Sequence, residues 1–151
     1  MRIYLVIIDE TEEARVALRF ASRRAAKTGG GVHLLSVIEP EPFVAFGGIQ
    51  ATIEQEARDR AEVLLTSLAG AIVAEGGRMP EISVQQGEAV KLVRDYLTAH
   101  TEVAALVLGA ARDGEPGLLV SHFTGPGLGS LPCPLMIIPG SLAEDEIDRL
   151  S

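Results

Sequence analysis

Tryptophan is absent from this 151-residue chain, and cysteine occurs once, as Cys133. A single cysteine excludes an internal disulfide, which fits a reducing compartment. Aromatic residues make up only 4% of the sequence, so the core has to be built from Val, Leu, Ile and Ala. Basic residues are outnumbered: 13 Lys and Arg stand against 21 Asp and Glu, for a net charge of −8. That balance gives solubility and repels phosphate-rich surfaces, so neither nucleic acid nor an anionic membrane is an expected partner. Long apolar runs are lacking too. The first one, Ile3 to Ile8, is closed by Asp9 and is shorter than the apolar region of a signal peptide or a membrane span. A cytoplasmic protein is expected.

What is present is enough for one folded domain. The chain is 47% hydrophobic, which argues against disorder, and no linker divides it. The run 3–8, rich in β-branched residues, reads as a strand buried on both faces. Ala14, Ala17, Leu18, Ala21 and Ala25 then recur at helical spacing, and the glycines at 29–31 stop that helix. A second strand (32–38) leads into a Pro/Gly loop (39–48). A long helix over roughly 50–75 follows, with Ala57, Ala61, Leu64, Leu65, Leu68 and Ile72 as its apolar stripe. An alternating strand near a sheet edge (81–86), a third helical stripe from Ala89 to Leu97 and a buried strand (103–108) come next. After a glycine-rich loop and a short helix, the last strand spans 134–138. Residues 1–140 read as the domain and 141–151 as an acidic tail able to form a short amphipathic helix. Alternation of this kind means an α/β fold, a doubly wound parallel sheet with helices on both faces.

Such sheets bind ligands beyond the carboxyl ends of their strands, where strand order reverses. With the first and fourth strands adjacent there, Asp9 and Gly109 face the crevice, and the loop from Val37 onward borders it. Two roles fit Asp9: accepting hydrogen bonds from a ligand, or capping the first helix with Glu12 three residues on. The stretch "LGAARDGEPG" (108–117) runs from an apolar strand into glycines that let backbone approach a phosphate. It contains neither Gly-Lys-Ser/Thr nor G-x-G-x-x-G, and it carries Asp113 and Glu115. Arg112 fits a phosphate contact or an ordinary surface arginine.

Taken together, the strand ending in Asp9, the alanine-rich first helix, "LLSVIEP" (34–40), "VAALVLGA" (103–110) and "PCPLMIIP" (132–139) resemble the universal stress protein family over nearly the whole chain. The resemblance implies a five-stranded parallel sheet of order 3-2-1-4-5, of the adenine nucleotide α-hydrolase-like kind. It also implies a homodimer through the last strand, Leu135 to Ile138, and a role in stress response. Many members bind ATP through G-x-x-G, nine residues, then G-Ser/Thr. Here the first glycine is Gly109, the second position holds Arg112, and the third falls on Ser121 or His122. The small residues that follow the first-strand aspartate in the family are replaced by Glu10 and Thr11, and Glu12 and Glu13 add further charge. Pro126 and the glycines at 125, 127 and 129 keep the fourth helix short.

The resulting expectation is a non-enzymatic regulatory or interaction protein with a degenerate nucleotide site and a protein partner still to be identified. The alternative is an ATP- or AMP-binding module using a variant phosphate loop. In that case Asp9 meets the ribose or base, Val37 the adenine, and Gly109, Arg112, Gly117, Ser121 and His122 the phosphates. No catalytic residue is expected, and no residue is an obvious base for an attacking water. His33, His100 and His122 are far apart and lack metal-ligand spacing. His33 is expected to face a helix-covered side of the sheet, and His100 suits a helix C-terminus. Cys133, between two prolines, reads as buried and inert. G-x-S-x-G, H-x-G-H and S-G-G-x-D-S are all absent, which leaves an enzyme reading without a motif. Phe43 and Phe46 read as cover for the sheet edge rather than a lid.

Overall fold

The computed structural model describes residues 1–40 and 47–151; Phe43 and Phe46 lie outside the described residues. Five strands, β1 (Ile3–Ile7), β2 (Gly31–Ile38), β3 (Glu81–Gln86), β4 (Val103–Ala110) and β5 (Leu135–Pro139), form one parallel sheet of order β3-β2-β1-β4-β5. The connecting helices are α1 (Glu12–Thr28), α2 (Gly47–Ala74), α3 (Ala89–Ala99) and α4 (Leu118–Thr124), and α5 (Glu144–Leu150) follows β5.

Alternation along the central strand divides the core in two. Tyr4, Val6 and Ile8 face α1, α2 and α5, where they pack with Leu18, Leu65 and Ile147. Ile3 and Leu5 face α3 and α4, where Val93, Leu97 and Phe123 close the other layer. With so few aromatics the packing is aliphatic, and the alanines of α1 let that helix lie close to the sheet: Ala17 and Ala21 are completely buried. The cap of α1 is Thr11, whose hydroxyl accepts from Ala14 N at 3.3 Å, rather than Asp9. Asp9 instead accepts from both the backbone N–H and the hydroxyl of Thr11 and so orients the cap.

Two elements differ in extent from the sequence reading in a way that bears on the site. β4 continues two residues into the expected loop, because Gly109 and Ala110 still find partners in Ile138 and Pro139 of β5. The helix of the tail, α5, puts Ile147 into the core with only 1% of its surface exposed. Arg19 and Arg23 of α1 clasp α5 through Asp148, with Arg19 Nη2 at 2.8 Å and Arg23 Nε at 3.3 Å. Lys27 adds a bond to the Asp148 carbonyl at 2.8 Å. The Arg19 guanidinium holds the Asp148 carboxyl below its ordinary range.

Candidate functional site

A cleft of about 370 Å³ opens where strand order reverses, between the carboxyl ends of β1 and β4. Its inner surface is aliphatic: Ile7, Ile8, Val37 and Leu108 come from the strand ends, and Leu119 and Val120 from α4. Leu118 stands at its edge with 62% of its surface exposed. The polar lining is acidic. Asp9, Glu13 and Glu39 reach the cleft, and among the described residues no Lys, Arg or His does.

Local hydrogen bonds hold two of these carboxylates, Asp9 and Glu39, in place. Asp9 spends one oxygen, Oδ1, on Thr11. Glu39, directly after β2, accepts from Ala89 N at 3.2 Å through Oε1 and so ties the β2 loop to the start of α3. Glu88 caps the same helix end, accepting from Val90 N and Lys91 N at 3.0 and 2.8 Å.

Of the residues expected from sequence, Asp9, Val37, Gly109 and Gly117 line the cleft together. Arg112, Ser121 and His122 are not among its lining residues. Arg112 is exposed on the loop, without a side-chain partner among the described residues. The Ser121 N–H is already committed to the Gly117 carbonyl at 2.9 Å. The His122 ring turns edge-on to Phe123, with centroids 5.1 Å apart, and lies against Gly127.

The two cleft glycines are needed for different reasons. At Gly109 an added Cβ would stand 2.0 Å from the Glu13 carbonyl oxygen, because the first turn of α1 lies directly on β4 there. Gly117 precedes α4 with φ 118° and ψ 156°, a conformation essentially confined to glycine. Between them the loop closes on itself, Ala111 N donating to the Pro116 carbonyl at 3.1 Å. Sequence reasoning placed the charge of Glu13 near the site but missed the cleft roles of Glu39, Ala89 and Pro116. The available signal for Glu39 was position, since it immediately follows β2.

The remaining polar groups lie elsewhere. His33 is buried on β2, as expected, and Tyr96 of α3 places its hydroxyl 2.8 Å from His33 Nδ1. His100 stacks on Tyr96 with centroids 3.8 Å apart and puts Nδ1 2.9 Å from the Tyr96 carbonyl. Histidines distant in sequence thus meet in space, His33 and His100 having ring centroids 5.9 Å apart. Burial lowers the His33 pKa, against the opposing pull of Glu81 and Glu102. Burial also pushes the Tyr96 hydroxyl up to about 12 and raises the Cys133 thiol. Among the described residues no group of three His, Cys, Asp or Glu side chains is placed to hold a metal ion, and no helix is long and apolar enough to cross a membrane.

Comparison with known proteins places this geometry. The model of the universal stress protein family matches residues 1–139. Curated protein sequences give no significant match. Among solved structures, universal stress protein UspA from Lactobacillus plantarum is 16% identical with a TM-score of 0.74, covering 91% of this chain and 97% of that one. A universal stress protein in complex with cAMP is 16% identical with a TM-score of 0.61, covering 93% and 98%. A protein of the same family from Burkholderia pseudomallei is 18% identical with a TM-score of 0.62, covering 91% and 95%.

Proposed function

The chain belongs to the universal stress protein family, and from that premise we propose that it acts by binding, as a non-enzymatic regulatory or interaction protein in stress response whose cleft does not hold a nucleoside triphosphate. One observation carries this reading: Asp9, Glu13 and Glu39 line the cleft and, among the described residues, no cationic side chain does. A triphosphate brings several negative charges, and a phosphate site needs donors and positive potential. At Gly109 the Glu13 carbonyl packs against the side a Cβ would take, so the glycine there serves helix–strand packing. Cys133 is only partly buried, short of the full burial expected from sequence, but its thiol is still raised by desolvation, which suits packing better than nucleophilic attack. A cytoplasmic location and a second copy paired along Leu135–Ile138 belong to the same proposal, as does a protein partner reached through the exposed surface.

A second reading keeps a nucleotide. Asp9, Val37, Gly109 and Gly117 gather at one cleft, and a related structure holds cAMP. A nucleotide with a single phosphate, such as AMP, brings less charge against the carboxylates than ATP does.

Titration calorimetry with ATP and Mg²⁺ and, separately, with AMP, together with extraction of any co-purified nucleotide, separates the two. We expect neither heat nor bound nucleotide. Micromolar binding would overturn the degenerate-site reading, and Arg112→Ala would then be expected to weaken it.

A further inference from the structure

The cleft combines an aliphatic interior with carboxylates that, among the described residues, have no cationic counterpart in its lining. We propose that it is a binding site for a small organic ammonium ion carrying an apolar body. The proposal deepens, and rests on, the reading of the cleft as a ligand site that rejects polyphosphate.

The cavity itself is the first argument. At about 370 Å³ it falls within the roughly 300–1,000 Å³ typical of small-molecule sites, and it lies at the strand reversal where open α/β sheets take their ligands. Ile7, Ile8, Val37 and Leu108 offer a floor for hydrocarbon rather than for sugar or phosphate. Leu118, exposed at the rim, extends that apolar surface outward.

Charge selects the ligand class. Asp9 and Glu39 each use one oxygen in holding local structure, through Thr11 and Ala89 N, and each keeps its second oxygen without a partner among the described residues. Glu13 has no side-chain partner there at all. Residues 41–46, which follow Glu39, contain no Lys, Arg or His. Lys91, in the first turn of α3, is paired with Asp95 at 2.6 Å, and Arg112 lies off the lining. Carboxylates of one sign beside low-dielectric walls focus the field and concentrate counter-ions. A bare metal ion does not answer this arrangement, since among the described residues no three ligating side chains converge and the aliphatic floor would be left facing water. An ammonium group on a hydrocarbon body satisfies both halves of the lining.

The full chain, isotope-labelled for amide NMR, would be titrated with phenethylammonium, with phenethyl alcohol as the neutral counterpart, with hydrocinnamate as the anionic one, and in parallel with ATP and Mg²⁺. The expected result is saturable shifts at the Ile8, Gly109 and Leu118 amides. Phenethylammonium should bind about tenfold or more tighter than the alcohol, hydrocinnamate should leave the spectrum unmoved, and the preference should shrink as salt is raised. In the double variant Glu13→Gln, Glu39→Gln, which keeps the acceptor for Ala89 N, the preference for ammonium over alcohol should collapse. Equal binding of ammonium and alcohol, shifts away from the cleft, or an unchanged preference in the double variant would each overturn the proposal. Silence from both the ammonium and ATP overturns this proposal alone. ATP saturating the cleft amides where the ammonium does not overturns the polyphosphate-free reading as well.

Discussion

At the residue scale, Gly109 shows how one side chain's absence serves packing before chemistry. In sequence it looks like the opening of a phosphate loop; in the structure its missing Cβ is what lets the Glu13 carbonyl sit against β4. Gly109→Ala should therefore destabilise the domain whatever the cleft binds, by about 1–3 kcal/mol or more, as overpacking does. Urea unfolding with and without ligand checks this; an unchanged midpoint would mean that α1 does not press on β4 there. Asp9, Val37, Gly109 and Gly117 were legible because each is fixed by backbone position at a strand end or helix start. Ser121 and His122 were not, because the rotation of a seven-residue helix decides where they point, and Phe123 takes the buried side. Glu39 stayed hidden because its partner, Ala89 N, is 50 residues away.

At the element scale, the clearest coupling joins β2 to α3 through His33 and Tyr96. Tyr96 brings its hydroxyl to 2.8 Å from His33 Nδ1, and His33 Nε2 lies 3.5 Å from Glu81 Oε2. The His33 pKa is lowered in the fold from the ordinary 6.5, burial outweighing Glu81 and Glu102. Between the two values the unfolded chain binds more protons than the native one. The stabilisation is thus fully present above 6.5 and is lost as pH falls through the lower, folded value. Thermal or urea midpoints should drop on mild acidification, and His33→Gln should flatten that part of the profile; an equal acid slope in the variant would place the titration elsewhere. The strands and helices themselves were legible from period and punctuation. Their ends were less so: β4 runs on to Ala110 because β5 supplies partners, and α5 gains an anchor because Ile147 packs into the core layer beside α1. Neither partner is adjacent in sequence.

At the scale of the whole molecule, the order β3-β2-β1-β4-β5 was legible through the family resemblance, since parallel strands leave no local signature of who pairs with whom. That order leaves β5 at an edge with Ile137 37% exposed, and such an edge invites another strand. Ile137→Lys should shift a dimer toward monomer in light scattering; an unchanged mass would move the interface away from β5. The same order carries a kinetic consequence. Ile3 pairs with Gly31 on one side and with Val103 on the other. During synthesis the first half of the sheet can zip early, while the other edge of its central strand must wait for a partner from far along the chain. Long-range parallel pairing is slow, and an open apolar edge is a hazard while it lasts. The molecule's most vulnerable moment is therefore the interval before residues 103–110 arrive, when its best-buried strand is still half exposed.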